Sequence, residues 1–281
     1  MQDLDSTIPG GVYLCQVNEK ISCGACCGLY NVSDPSEKNL YAILEKRTER
    51  YDNTPKEYDA LDEFQAIIIE QESKTRPYPE FHHCPYIGLI GENRDRPGCL
   101  LHPLGKGNNN VDWRGLSHWG GFACASYFCP TCPQLPVRYK KALRASAANW
   151  YIFGLAVTET KMVETFFNSI ENRTSGKISS EIFEQDTQLQ EATADFFDLK
   201  ATWPFRGEGF NATGNYFFKD DLYPRSEIDY NAFDSEISEF DEIFKALGTE
   251  FKNSSELKQG IKSISLHIEK VVNRIKKIAV D

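Results

Sequence analysis

Apolar positions recur every three or four residues through most of this chain, a period that predicts helices rather than strands. Leu40, Leu44, Arg47 and Tyr51 share one helical face, and Leu61, Phe64, Ile67, Ile68 and Gln71 share another. Asp34 can cap the first of these helices, with Pro35 at its first position and Glu37 closing a capping box. The second runs from about Glu57 to Lys74 and stops before Pro77 and Pro79. Together they read as a helical hairpin over about residues 34–75, acting as scaffold.

The same period dominates after residue 133. Arg138 to Tyr151 carries good helix formers, and Gly154 is expected to break or bend the helix. Met162, Val163, Phe166, Phe167 and Ile170 form the next stripe, followed by a polar connector over 172–180. Ile182, Phe183, Leu189, Ala192, Phe196 and Leu199 mark a further helix, closed by Trp203-Pro204-Phe205 and the glycines at 207, 209 and 214. Tyr216-Phe217-Phe218 with Leu222-Tyr223 reads as an aromatic patch packed on the helices. Asp234 or Ser235 is expected to cap a helix carrying Ile237, Phe240, Phe244 and Leu247, with Gly248 at its end. From Ser254 a long stripe of Leu257, Ile261, Ile264, Ile268, Val271 or Val272, Ile275 and Ile278 makes a helix seam. That seam reads first as packing inside the chain, with a protein partner such as a second copy in a dimer, or a membrane surface, as the sharper alternatives.

The first half is different. Residues 1–31 have no helical period; Pro9-Gly10-Gly11 is a turn signal, and Val12 to Cys15 is a short apolar run readable as a strand. The fold class is therefore mainly α, with an irregular, cysteine-rich, metal-stapled N-terminal half and a helical C-terminal half. The boundary between the two regions is placed at 133/134.

Charge and targeting narrow the function classes. The formal net charge is -10, which argues against general nucleic-acid binding. No apolar run is long enough for a transmembrane segment, and the first residues lack the basic and apolar regions of a secretory signal. The expected location is cytoplasmic, where thiols stay reduced.

In that compartment the nine cysteines change the picture, because all of them precede residue 133. Such bunching points to metal or redox chemistry rather than to isolated core thiols. Cys23-Gly-Ala-Cys26-Cys27 places two sulfurs at ligand spacing, and Cys129-Pro-Thr-Cys132 repeats it. Between them lie Cys84, Cys99 and Cys124. These eight thiols, Cys23, Cys26, Cys27, Cys84, Cys99, Cys124, Cys129 and Cys132, are the candidate metal ligands. Eight suffice for two four-thiolate sites, or for one site with spare thiols. Adjacent side chains diverge, so Cys26 and Cys27 could serve two sites or two corners of a larger cluster. Soft thiolates select zinc or an iron–sulfur cluster, [4Fe–4S] being the form such a set would hold.

Other candidates are weaker. Cys15 reads equally as ligand or packed core. Cys99 and His102 have Cys-x-x-His spacing, a weak signal alone. His82 and His83 read as surface residues or as supports for neighbouring ligands. His118, beside Trp119, reads as structural. Gly105-Lys106-Gly107 is a loop without the residues of a phosphate site. No catalytic constellation stands out.

The run Cys23-Gly-Ala-Cys26-Cys27, then Cys84-Pro-Tyr, then Arg96-Pro97 shortly before Cys99, resembles the zinc- or iron-chelating cysteine-cluster family (the YkgJ type). The likeness covers roughly residues 15–103 and implies that Cys23, Cys26, Cys27, Cys84 and Cys99 are ligands. The chain departs from that pattern at Lys20, where the family often has a further cysteine, and in an Arg-Pro one residue closer to the last cysteine. Some members are iron–sulfur-dependent protein lysine methylases. The expectation is thus a metal-binding protein with an electron-transfer or partner-binding role. The alternative is an iron–sulfur-dependent enzyme that modifies protein side chains, or an oxidoreductase.

Overall fold

The amphipathic segment after Asp34 is helical, but it begins later than the capping-box reading places it. Ser36 is the cap: its hydroxyl accepts from the Asn39 N–H, while the Asp34 carboxylate accepts from the Ser36 N–H at 3.0 Å and shapes the turn before it. The computed structural model that shows this describes residues 2–72, 76–79, 81–208 and 225–279. It is mainly α, and its sheet has two strands.

In chain order, α1 (Gln2–Asp5) is followed by α2 (Glu37–Asp52) and α3 (Tyr58–Gln71), then by β1 (Ile87–Ile90) and β2 (Arg96–Cys99), and by α4 (Gly120–Ser126). The remaining helices are α5 (Thr131–Gln134), α6 (Val137–Ala145), α7 (Trp150–Val157), α8 (Thr160–Thr174), α9 (Ser180–Gln185), α10 (Thr187–Phe197), α11 (Leu199–Thr202), α12 (Asp241–Ala246) and α13 (Ser254–Ile278). They divide into two compact units. One is formed by Cys15–Cys129; the other joins Met1–Leu14 to Pro130–Asp281.

The Cys15–Cys129 unit, called here the cysteine unit, packs α2 and α3 around a small antiparallel hairpin. Ile87 faces Cys99 in the register, and Leu89 faces Pro97. Leu40, Leu44, Arg47 and Tyr51 are all buried, as the period of α2 requires. Thr48 extends that face and accepts the Leu89 N–H at 2.7 Å, so helix and strand share a hydrogen bond. Tyr51, Leu61, Phe64, Ile68, Cys84, Tyr86, Leu100 and Leu101 form one apolar cluster. Phe64 sits at its centre, edge-on to Tyr51 and stacked on Tyr86, each with ring centroids 5.6 Å apart. The β-hairpin is absent from the sequence reading. Its strands are four residues long, and Pro97 and Gly98 argue against a strand by composition. Val12 to Cys15 forms no strand; the nearby pairing is a single bridge between Gln16 and Ser22.

The other unit, the helical unit, is built on long apolar stripes. Phe166 of α8 stacks on Phe196 of α10 with centroids 3.9 Å apart. The stripe of α13 covers both helices: Ile264, Ile268, Val271 and Val272 are completely buried. The helix seam is therefore filled from within the unit. Asn253 caps α13, accepting from the Glu256 N–H at 3.0 Å. Asp5 holds Arg144 through both carboxylate oxygens, at 2.8 and 2.9 Å.

Two helix expectations need correction here. Gly154 lies inside α7; the break falls before it at 146–149, where Asn149 caps α7 by accepting from the Ile152 N–H. The helix expected from Asp234 starts only at Asp241, and Ile237 is exposed before it. The aromatic patch at 216–223 lies outside the described residues, as do Gly209, Gly214 and the end of the expected second helix at 73–75.

Candidate functional site

The cysteine motif folds through two glycines that no other residue could replace without movement. Cys23-Gly24-Ala25-Cys26-Cys27-Gly28 forms a single turn of 3-10 helix over Ala25–Cys27. Gly28 ends it in the left-handed region, at φ 72°, and a Cβ there would stand 2.2 Å from the His82 carbonyl oxygen. A Cβ on Gly24 would stand 2.6 Å from Ile87. The motif is thereby pressed against both the segment leading to Cys84 and strand β1.

Backbone bonds fix the thiols next. The Cys84 N–H donates to the Cys27 carbonyl at 2.8 Å, and the Cys23 N–H donates to the Cys15 carbonyl at 2.9 Å. The loop between Cys15 and Cys23 is tied to β2, because the Ser22 hydroxyl donates to the Pro97 carbonyl at 2.6 Å. Cys27 and Cys99 pack beside Cys84 on the apolar cluster, together with Trp113 and Leu116. Cys124, on α4, lies 3.1 Å from the Ser117 hydroxyl, one residue beyond Leu116.

Arg47 supports this arrangement from beneath. It is wholly buried and donates from Nη1 to the carbonyls of Cys84, at 2.9 Å, and Ile87, at 3.2 Å. Its Nε and Nη2 grip the Glu72 carboxylate. Burial would raise the Glu72 carboxyl, but Arg47 and then His83 outweigh it and hold the group at about 2. His83 donates from Nδ1 to the Gly28 carbonyl at 2.7 Å, so its Nε2 faces Arg47 as an acceptor. Burial lowers the His83 pKa, which suits that neutral ring. His83 thus orients the cysteine motif from behind.

None of the nine cysteines is in a disulfide. Burial and thiol neighbours together keep most of those in the cysteine unit protonated in this state. Burial first, then Cys26 and Cys129, push Cys15 up to about 12. The same neighbours act on Cys23 after burial, and Cys15 adds to them. Burial, then Cys84, raises Cys99 to about 12; Cys84 itself is raised to about 11 by burial, with Cys124 and Cys26 contributing. Cys26 and Cys27 behave oppositely. The Cys27 thiol donates to Cys26, which lowers Cys26 and raises Cys27.

The candidate residues are therefore distributed unequally. Cys23, Cys26, Cys27, Cys84, Cys99, Cys124 and Cys129 belong to the cysteine unit, whereas Cys132 belongs to the helical unit. Cys132 is completely buried on α5, and its carbonyl accepts from the buried Lys140 ammonium. Cys15, which the sequence reading left undecided, falls among the thiols. The signal that finds it is the pairing of Gln16 with Ser22, visible only after folding. His102 uses Nδ1 to accept from the Leu104 N–H at 3.2 Å. His82 stacks on His118 with centroids 4.5 Å apart, and Trp119 closes the trio edge-on. Burial first, then His118, lowers the His82 pKa to about 4.

The donor set suits a soft metal, since it is dominated by sulfur. Among the described residues, however, no three or more His, Cys, Asp or Glu side chains are drawn together closely enough to hold an ion as they stand. No protein-family model matches the chain, and no curated protein and no solved structure matches it either. The likeness to the chelating cysteine-cluster family rests on the motif residues alone.

Proposed function

We propose that this chain is a metal-binding protein whose cysteine unit holds zinc or an iron–sulfur cluster through thiolates, as the resemblance of its motif to the chelating cysteine-cluster family implies. The observation that carries this reading is that eight of the nine cysteines lie in one unit of 115 residues, all unpaired by disulfides. Elevated thiol pKa values do not oppose it, because a bound cation stabilises the thiolate and releases the proton.

Four-sulfur coordination would make the site structural and would couple metal binding to folding of the cysteine unit. An iron–sulfur cluster there would add electron transfer. The protein's own contribution is legible in either case. Gly24 and Gly28 set the turn, Arg47 and His83 fix the carbonyls behind it, and the apolar cluster keeps water from Cys84. Binding of a protein partner along α13 has less behind it, because that seam is filled from inside.

The deciding measurement is metal content of protein purified without oxygen. Stoichiometric zinc, or iron with sulfide and a brown colour, is the expected result. A metal-free chain with full helicity and a cooperative unfolding transition would overturn the reading.

A further inference from the structure

We propose that the helical unit binds a primary alkylammonium group in a narrow cleft beside α7, with the Ser146 hydroxyl and the Asp198 carboxylate as its acceptors. This goes beyond the metal-binding reading and does not depend on it.

The cleft lies where the turn after α6, helix α7 and the end of α10 meet. Small side chains leave it open: Ala147 and Ala148 in the turn, Ala156 on α7 and Ala194 on α10. The buried rings of Phe153 and Phe197 complete its apolar wall. The free space inside is about 10 Å³, room for the centre of one water-sized group.

Two polar side chains line this apolar wall without a protein partner. Ser146 is 6% exposed, and its Oγ is buried with no hydrogen-bond partner. Its N–H is engaged in ending α6, at 3.1 Å from the Ala142 carbonyl. A buried hydroxyl left unpaired is costly, so the position calls for a group that it can bond. Asp198 stands between α10 and α11. Its carbonyl accepts from the Ala201 and Thr202 N–H groups at 2.9 and 3.1 Å, but its carboxylate does not cap α11. Burial, then Asp195, raises the Asp198 pKa, and among the described residues no cation offsets them.

The chemistry of the missing group follows. Both side chains can accept, and the charge beside them is negative, which disfavours an anion. A water would satisfy Ser146 and leave the Asp198 charge uncompensated. An ammonium head is as small as a water, carries three donors and supplies the opposite charge. Its alkyl stem has an apolar way out past Ala148, which is exposed.

Titration of n-butylammonium into the full-length chain, followed through backbone amide resonances, tests the assignment. Saturable shifts are expected at Ala147, Ala148 and Ala194. Asp198→Asn should weaken binding about tenfold and Ser146→Ala about threefold, and Ser146→Ala should leave the melting temperature unchanged or raised. n-Butanol has the same stem without the charge and should give no saturable shift, a comparison that needs no variant. Saturation by n-butylammonium alone supports a free amine as the ligand; saturation by Nα-acetyl-lysinamide as well supports a lysine side chain. Equal affinity in the wild-type and Asp198→Asn chains, an equal response to n-butanol, or a cleft water that n-butylammonium does not displace would overturn the proposal. Metal content does not enter this test, so its failure leaves the metal-binding reading intact.

Discussion

The Arg47 guanidinium donates to the Cys84 carbonyl at 2.9 Å from inside the buried face of α2. A cation with no exposure is stable there because each side of its fork meets an acceptor: Cys84, Ile87, Glu72 and His83. Replacing Arg47 by Met removes that charge but strands the Glu72 carboxylate and two carbonyls. Denaturant unfolding should show a loss of about 3 kcal/mol. Arg47→Lys should recover little of it, since an ammonium cannot span the same acceptors. A loss below about 0.5 kcal/mol would show that the guanidinium organises nothing.

Gly28 gives a sharper steric test. Gly28→Ala asks a residue with a Cβ to adopt φ 72° and to share space with the His82 carbonyl oxygen, 2.2 Å away. The expected loss is at least about 2 kcal/mol, with reduced metal uptake. Gly115→Ala is the control, because a Cβ there meets nothing within 4 Å. Equal melting temperatures for the two variants would contradict the argument.

The helical unit carries a pH prediction of its own. Glu171 is bound by Arg138 at 2.6 and 2.9 Å and accepts from the Ile178 N–H at 3.0 Å. Arg138 is the main reason its carboxyl is held down at about 2. A group whose folded pKa is depressed stabilises the fold above its unfolded value, about 4.3. That contribution is full above about pH 4.5 and is lost as the pH falls toward 2. Unfolding measured across that window should be shallower in Glu171→Gln than in the wild-type chain, and identical slopes would refute the assignment.

Ile268 separates internal packing from association. It is completely buried in α13 against its own unit. Ile268→Ala should destabilise the chain by about 2–4 kcal/mol and leave its sedimentation coefficient unchanged. A shift in oligomeric state without a loss of stability would return the seam to a partner.

The helices were legible wherever one apolar stripe was long enough to mark a face. The α2 positions Leu40, Leu44, Arg47 and Tyr51 and the α13 stripe are examples. Ends were harder, because local candidates compete: Asp34 and Ser36 can both cap, and the chain uses the second. The β-hairpin escaped because four-residue strands containing Pro97 and Gly98 leave no period to read. For the site, clustering drew attention to the thiols, but spacing could not say which of them meet. The standing of Cys15 depends on a pairing formed only on folding, Gln16 with Ser22, and Arg47 disclosed nothing beyond its place on an apolar face.

The helical unit is interrupted: α1 pairs Asp5 with Arg144, although the whole cysteine unit is encoded between them. During synthesis the opening residues must wait, unpaired, until more than a hundred others have left the ribosome. If the insert condenses first, its two ends are already near one another, as the flanking Gly10 and Cys132 carbonyls, which share the Lys140 ammonium, require. The entropy of closing that long loop is then largely met before Arg144 emerges, and the late pairing becomes a short-range search. If, as proposed, the cysteine unit binds metal, supply of that metal would set the pace at which the rest of the molecule matures.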